Sequence, residues 1–281
     1  MHKMNQLAVI TGAGGVLCSC FAKAMAGAGY DVALLDLNED AAKAAAEEIS
    51  KNKSIKNITA KAYKANVLDR DNLEEVHQKI LRDLGKCTVL INGAGGNSPK
   101  CITAHETYKI EDEKRNDIMT FFNLDKAGFD FVFNLNLMGT LLPTQVFVPD
   151  MLGREGCSVV NISSMNAYRP LTKIPAYSAA KAAVSNFTQW LAVHFAKENI
   201  RVNAIAPGFF VTKQNRDLLF DKDGNPTERT EKILRATPMN RFGEPEELIG
   251  TLLWITNSKA SGFVTGVVVP VDGGFSAYSG V

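Results

Sequence analysis

Leu7-Ala-Val-Ile-Thr-Gly-Ala-Gly-Gly15 joins a short apolar run to a glycine-rich turn. A short apolar run bounded by glycines is typical of a buried strand. Residues 16–27 follow at once, with apolar and small side chains at the spacing of a helix. Strand, glycine turn and helix together predict the first unit of a parallel sheet, in which the free N–H groups at the helix start face the turn.

A second apolar run, at 31–35, ends at Asp36. Glycines let the backbone approach a pyrophosphate, and a carboxylate about twenty residues later can accept hydrogen bonds from both ribose hydroxyls. No Arg or Lys stands at 12–15 or directly after Asp36, so a 2′-phosphate would meet a negative charge without a counter-ion. The pattern predicts NAD(H) in preference to NADP(H). The alternative is a plain turn and a helix-capping aspartate.

Similar runs alternate along the rest of the chain. Further strands are predicted near 60–65, 87–92, 157–163, 200–206 and 266–270, and helices at about 15–28, 39–51, 70–84, 124–151, 175–198 and 244–256. Such alternation predicts an α/β fold, a single-domain doubly wound parallel sheet (Rossmann-type) with helices on both faces. No repeat or linker indicates a second domain within 1–281.

Composition narrows the classes of function. The 281 residues are 46% hydrophobic and carry a formal net charge of +1, which suits one large core and gives no reason to expect nucleic acid as a partner. The sequence has no apolar stretch of about eighteen residues, so no membrane span is expected. Five cysteines without C-x-x-C spacing indicate reduced thiols and a cytoplasmic location. The four histidines are scattered, so no metal site is expected.

Tyr177 and Lys181 stand four residues apart, on one face of the predicted helix, with Ser164 thirteen residues before the tyrosine. The pKa of a phenol lies near ~10, and an adjacent ammonium is expected to lower it toward the range useful for acid–base chemistry. The pair alone also suits a solvated helix face, so its surroundings decide between the two interpretations.

Those surroundings resemble the short-chain dehydrogenase/reductase family. The motifs that carry the resemblance are Thr11-Gly-Ala-Gly-Gly15, Asn92-Gly-Ala-Gly95, Asn136, Ser164, Tyr177-x-x-x-Lys181 and Pro207-Gly208. The resemblance runs from about residue 5 to about residue 276. Within the family, the chain is similar to the D-mannonate oxidoreductase (fructuronate reductase) group, through the stretches 162–168, 175–190, 206–212 and 271–280.

The resemblance implies roles for individual residues. Tyr177 would be the general acid/base, Lys181 would lower the pKa of Tyr177 and hold the nicotinamide ribose, and Ser164 would bind the substrate oxygen. Asn136 would carry a water that links Lys181 to solvent. The implied cofactor contacts are Thr11, Gly12, Gly14, Gly15, Val16, Leu17, Asp36, Asn66, Val67, Asn92, Ala94, Gly95, Tyr177, Lys181, Pro207, Gly208, Val211 and Thr212. Family relatives are commonly homotetramers.

The chain departs from the usual family pattern near the glycines. That pattern has glycine where this chain has Val16 and Cys18, so Cys18 is expected to pack as a small apolar residue. Asn92-Gly93 replaces the commoner Asn-Asn, and Asn66-Val67 stands where Asp-Val is usual. These changes bear on the phosphate geometry more than on binding itself.

Two segments are expected to cover the site. The segment 97–126 is polar and long, and is either a lid over the substrate or a solvated loop. The segment 208–238 contains a predicted turn at 221–226. The predicted substrate is a sugar acid, with Asn97, Asn166, Arg169 and Arg216 as candidate ligands; guanidinium groups match a carboxylate well.

The resemblance implies hydride transfer between D-fructuronate and D-mannonate. The alternative within the family is a 5-keto-gluconate reductase or another sugar or polyol dehydrogenase. Two other classes stay open at this point. An NAD-binding module without activity would not need the proton-transfer residues, and an epimerase or dehydratase that retains NAD would produce no net NADH.

Overall fold

A computed structural model describes residues 6–211 and 216–280, apart from the side chains of Asp217 and Leu218. Its strands are β1 Leu7–Thr11, β2 Asp31–Asp36, β3 Ala60–Lys64, β4 Cys87–Asn92, β5 Ser158–Ile162, β6 Arg201–Pro207 and β7 Val268–Val271. They form one parallel sheet in the order β3-β2-β1-β4-β5-β6-β7. The predicted doubly wound sheet is confirmed.

Helices cover both faces of this sheet. They are α1 Val16–Gly27, α2 Glu39–Lys51, α3 Arg70–Asp83, α4 Lys126–Phe133, α5 Gly139–Phe147, α6 Pro175–Phe195, α7 Arg216–Leu219, α8 Glu228–Ala236, α9 Ile249–Thr256 and α10 Ser258–Ser261. Successive strand residues point to opposite faces. Ala8 and Ile10 therefore pack with α1, α2 and α9, whereas Leu7 and Val9 pack with α3, α5 and α6.

The helix predicted at 124–151 is interrupted. Asn134–Met138 forms a π-helical turn between α4 and α5. Asn136 Nδ2 donates to the carbonyl oxygen of Val132 at 2.8 Å, and Thr140 Oγ1 donates to the carbonyl oxygen of Asn136 at 2.8 Å. These side-chain bonds satisfy carbonyls that the widened turn frees, and π-turns of this kind often occur at functional sites.

The continuous helical segment Lys126–Met151 is long and apolar enough to cross a membrane. Half of its most apolar window is nevertheless buried inside the fold. Val146, Phe147 and Met151 pack against the sheet with α3. The segment is therefore a core element.

The two segments that are expected to cover the site both contain ordered structure. In 97–126, the backbone N–H of Ala104 donates to the carbonyl oxygen of Met119 at 2.7 Å, and three short 3₁₀ helices add local order. In 208–238, the predicted turn is confirmed, because Asp221 Oδ1 accepts from the N–H groups of Asp223 and Asn225. Helix α8 was not predicted, since its apolar stripe is short among many charged residues.

The outer part of α6 carries exposed apolar and aromatic side chains that could contact another subunit. Trp190 is 56% exposed and Val193 is 80% exposed, whereas Phe195 packs against the core. Trp190 stacks on His194 with ring centroids 4.6 Å apart. An apolar surface is thus present on this helix, and the tetramer stays a prediction.

Candidate active site

The four predicted catalytic residues meet near the carboxyl ends of the central strands. Ser164 lies two residues after β5, and Tyr177 and Lys181 lie in the first two turns of α6. That helix begins at Pro175, whose fixed φ suits a first helical position. The Nζ atom of Lys181 lies 5.7 Å from the centre of the Tyr177 ring. Asn136 is fully buried.

Tyr177 is half-buried, and its ring packs against a small apolar cluster between α4 and α6. Burial raises the pKa of its phenol above 10.0, and a hydrogen bond with Ser164 acts in the opposite direction. The sequence predicted a lowered pKa because of Lys181. Desolvation outweighs that effect in this structure, since burial disfavours the charged phenolate.

Lys181 is also buried, with 4% of its surface exposed. Its Nζ donates to the carbonyl oxygen of Ile162 at 2.7 Å. Burial lowers the pKa of this ammonium from 10.5 to about 8. Lys181 is therefore ready to exchange a proton near neutral pH, which a surface lysine cannot do.

Gly95 lies where several of these polar groups converge. A Cβ atom at this position would lie 2.7 Å from Asn136 Oδ1 and 3.1 Å from Lys181 Nζ. Asn136 Nδ2 also donates to the carbonyl oxygen of Gly96 at 2.8 Å. The asparagine side chain thus holds the loop after β4 against the lysine. Its predicted role in carrying a water stays a prediction.

The glycine turn after β1 packs tightly against the loop after β4. Gly12 has a φ of +67°, and a Cβ there would lie 2.9 Å from the backbone of Ala94. Thr11 Oγ1 accepts hydrogen bonds from the N–H groups of Gly93 at 3.1 Å and Ala94 at 3.2 Å. The two loops are thereby locked side by side at the sheet edge.

The features of this edge fit a dinucleotide. No side chain caps the start of α1 at Gly15, so Val16 and Leu17 begin a helix whose first N–H groups can meet a phosphate. Asp36 ends β2, and its Oδ2 accepts from the N–H of Gly14 at 2.9 Å while Oδ1 accepts from that of Asn38 at 2.8 Å. This carboxylate is thus fixed beside the glycine turn.

The two departures from the family pattern at Cys18 and Gly93 are related, because these residues contact each other. A Cβ atom on Gly93 would lie 2.1 Å from the Sγ atom of Cys18, which real structures do not permit. Burial raises the pKa of the Cys18 thiol to about 12, so the thiol stays neutral. The sulfur therefore occupies the space that a side chain at 93 would need. Sequence reasoning noted both changes and missed their contact.

We expect Gly93→Ala to destabilise the protein by about 1–3 kcal/mol, because it overpacks this contact. Shortening the neighbour with Cys18→Gly in the same chain should recover about half of the loss or more, since Thr11 O at 2.9 Å is the remaining obstacle. Chemical denaturation of the wild type, both single variants and the double variant gives the coupling energy. Additive effects would show that the two residues pack independently.

The remaining predicted cofactor residues lie around the same edge. The side chain of Asn92 points into the core, where Nδ2 donates to Thr144 Oγ1 and Asn161 Oδ1. Asn66 Oδ1 accepts from the N–H of Leu68, and Val67 packs beneath Gly139. Pro207 is the last residue of β6, Gly208 and Val211 follow it, and the N–H of Gly208 donates to the carbonyl oxygen of Val271. Thr212 lies outside the described residues.

The four predicted substrate ligands are not gathered at one point. Arg169 Nε donates to the carbonyl oxygen of Ser276 at 2.8 Å, and the guanidinium of Arg216 lies over the Phe220 ring. Asn97 is exposed, and its Oδ1 accepts from the N–H of Ser98. Asn166 is buried with Oδ1 unpaired, which leaves an acceptor available to a ligand. Their roles stay predictions.

Within the described ranges, no group of His, Cys, Asp and Glu has the arrangement of a metal site. All five cysteines are free, and four of them are buried.

Comparison with known proteins gives consistent matches over the full length. The chain is 59% identical to an uncharacterized oxidoreductase of Haemophilus influenzae, with 99% of this chain and 95% of the relative covered. It is 52% identical to the uncharacterized oxidoreductase UxuB of Bacillus subtilis, with 99% and 97% covered. A solved structure, a candidate D-mannonate oxidoreductase from Haemophilus influenza with bound NAD, has a TM-score of 0.93 at 59% identity and covers 99% of this chain and 97% of its own.

The family model for short chain dehydrogenase matches residues 6–223, which include the glycine turn, Asp36 and all four predicted catalytic residues. The sheet order and the Tyr177–Lys181 helix agree with that match. The chain belongs to the short chain dehydrogenase family and is an oxidoreductase.

Proposed function

We propose that the protein binds NAD(H) and interconverts D-fructuronate and D-mannonate. The observation that carries this proposal is the 59% identity, over 99% of the chain, to the NAD-bound candidate D-mannonate oxidoreductase. Identity at this level over the whole chain includes the substrate-covering segments, where members of a family that act on different substrates diverge most.

The site residues support carbonyl reduction and its reverse. Bound nicotinamide supplies or accepts the hydride. Tyr177 holds a proton on Oη at neutral pH, because burial raises its pKa, and it can give that proton to the substrate oxygen. Ser164, which is hydrogen-bonded to Tyr177, is placed to bind the same oxygen. The ammonium of Lys181, which has a pKa of about 8, can return a proton to Tyr177.

The direct test follows the absorbance of NADH during incubation with D-fructuronate. Parallel arms contain 5-keto-gluconate, and NADPH in place of NADH. Rapid loss of NADH with D-fructuronate, and slow loss in the other arms, supports both substrate and cofactor. Turnover of 5-keto-gluconate alone would retain the family chemistry and reject the mannonate assignment.

We expect Asp36→Ala combined with Leu37→Arg to shift the preference toward NADPH by about 10- to 100-fold. The change removes a charge that repels a 2′-phosphate and adds a guanidinium that can pair with it. The ratio of kcat/KM for the two cofactors measures the shift. A wild-type enzyme that already prefers NADPH would refute the role given to Asp36.

Asp36→Asn is the matched control for this pair. Its amide oxygen can still accept from the N–H of Gly14 or Asn38, so the loop stays in place while the charge is lost. We expect it to weaken NADH binding without creating the full preference for NADPH. If Asp36→Asn and the arginine variant change the ratio of kcat/KM for the two cofactors equally, the loss of charge repulsion alone accounts for the shift in cofactor preference.

A further inference from the structure

A cavity of about 310 Å³ lies beside the candidate active site. It is enclosed by the 97–126 segment at Glu106, by residues 171–173, by α8, and by the aromatic pair Phe209 and Phe275. Residues 171–173 lie between Ser164 and Tyr177 in the chain, and Phe209 directly follows Pro207-Gly208. The cavity is therefore lined in part by the loops that follow β5 and β6, at the same sheet edge as the catalytic residues. Its volume is at the lower end of the range for small-molecule sites.

Lys173, in the wall of this cavity, has a backbone conformation that is unusual for lysine. Its φ is +71°. The other non-glycine residues with positive φ in the described parts of the chain are all asparagines, at 57, 199 and 240. Asparagine tolerates the left-handed region, whereas a long side chain does not favour it. Strain of this kind persists where the residue has a function.

The strained position is held in place by the covering segment. The carbonyl oxygen of Lys173 accepts from the N–H of Thr103 at 2.9 Å. That bond joins the 97–126 segment to the residues just before α6. A change of side chain at 173 leaves this backbone bond intact, so the lysine is not needed for the link itself.

The charges on the cavity wall are unevenly paired. Lys232 forms ion pairs with Glu106 at 3.3 Å and Glu228 at 3.2 Å, and so ties the 97–126 segment to α8. Lys173 and Arg229 also line the cavity. Neither has an ion pair or side-chain hydrogen bond with any residue that the structure describes. The three cations and two carboxylates on the wall leave a net charge of +1, with Lys173 and Arg229 as the cations that lack a partner, and this favours an anionic ligand.

We propose that Lys173, assisted by Arg229, binds the carboxylate of the substrate in this cavity. Ser164 and Tyr177 are not among the residues that line it, and in this proposal the carboxylate sits several carbons away from the reacting carbonyl. The substrate class is a polyhydroxy keto acid with the two groups at opposite ends, in contrast to a 2-keto acid. The identity of that acid as D-fructuronate rests on the proposed function, whereas the cation site does not.

The main test is Lys173→Asn, which removes the ammonium and puts a tolerant residue at the left-handed position. We expect the KM for D-fructuronate to rise about 10- to 100-fold, because one charge-assisted hydrogen bond is lost. The value of kcat should change little. D-Fructose, which has a hydroxymethyl group in place of the carboxylate, should be used no worse than before. The melting temperature of the ligand-free variant should equal or exceed that of the wild type.

Matched controls separate the site from general charge effects. Lys197→Asn makes the same change on an exposed residue after α6, and Arg235→Met is compared with Arg229→Met on the same helix. Arg169→Ala and Arg216→Ala test the earlier candidates directly. We expect Lys173→Asn and Arg229→Met to raise KM and the controls to stay within about twofold. A larger effect at Arg169 or Arg216 than at Lys173 would overturn the inference.

A binding arm does not depend on turnover. The rise in melting temperature that D-mannonate produces with NADH present is measured for each variant. It should shrink in Lys173→Asn and remain in Lys197→Asn. If the wild type instead turns over another sugar keto acid, the same comparison is made with that acid. If KM and the rise in melting temperature with that acid depend on Lys173, the cation site is supported and the mannonate assignment fails. If the wild type turns over D-fructuronate and neither quantity depends on Lys173, the cation site alone is rejected.

Discussion

Tyr177→Phe should reduce turnover by about 10³-fold while the protein folds normally and still binds NADH. The substitution removes only Oη, the atom that carries the proton, and general acid–base catalysis contributes about 10²- to 10⁴-fold. A loss of 10³ corresponds to about 4 kcal/mol of transition-state stabilisation. The half-buried ring keeps its packing and loses one hydrogen bond, to Ser164, so the free energy of unfolding should fall by about 1 kcal/mol at most. Single-turnover reduction of the keto acid measures the rate of the chemical step, and NADH fluorescence measures the binding of the cofactor.

Tyr63→Phe is the control that removes the same atom elsewhere. The Tyr63 hydroxyl donates to Asp83 Oδ2 at 2.9 Å on the edge strand β3, far along the sheet from α6. It should retain full turnover. Were Tyr177→Phe to keep more than about a tenth of wild-type activity, another group would have to be the proton donor, and Ser164 would be the first to replace.

Much of the fold could be predicted because its signals are local. Five apolar residues, a glycine turn and a small-residue helix specify the first β1–turn–α1 unit, and the same pattern recurs along the chain. The spacing of Tyr177 and Lys181 sets their common helix face in the same way. Parallel strands then bring separate motifs to one edge without any long-range information in the motifs themselves.

The features that were missed depend on tertiary contacts. Nothing in the sequence around Asn136 shows that its amide would replace a backbone bond and open a π-turn. The contact between Cys18 and Gly93 joins residues far apart in the chain. The left-handed φ of Lys173 opposes the local preference of lysine. Propensity cannot predict a conformation that the surrounding structure imposes.

The direction of the Tyr177 pKa shift has the same origin. Spacing showed that an ammonium lies near the phenol, but it could not show how far both groups are removed from water. Desolvation raises the pKa of the tyrosine and lowers that of the lysine. The pKa of the tyrosine therefore lies above that of the lysine, which favours proton transfer from the ammonium to a tyrosinate.

Lys181→Met should reduce turnover by about 10²-fold or more and change how stability depends on pH. In the wild type, the pKa of Lys181 is about 8 in the folded protein against 10.5 as the ordinary value. Between those values the folded protein binds fewer protons than the unfolded chain, so raising the pH across this window stabilises the wild type. The variant lacks this gain. The free energy of unfolding of the wild type should therefore rise by up to about 3 kcal/mol relative to that of the variant between pH ~7 and pH ~10.5.

The difference between the two proteins is the quantity to measure, because the buried thiols act in the opposite direction. Burial raises the pKa of Cys18 and Cys87, which lowers stability at alkaline pH in both proteins; for Cys18 the loss is larger in the variant, because the Lys181 charge that lowers the pKa of this thiol is gone. The bond from Lys181 to Ile162 that the variant loses adds a constant amount to this difference and does not change its slope with pH. Urea unfolding at several pH values, with the exposed Lys53→Met as control, gives the slope. A flat difference across the window would mean that Lys181 keeps an ordinary pKa, and its part in proton transfer would then have to be abandoned.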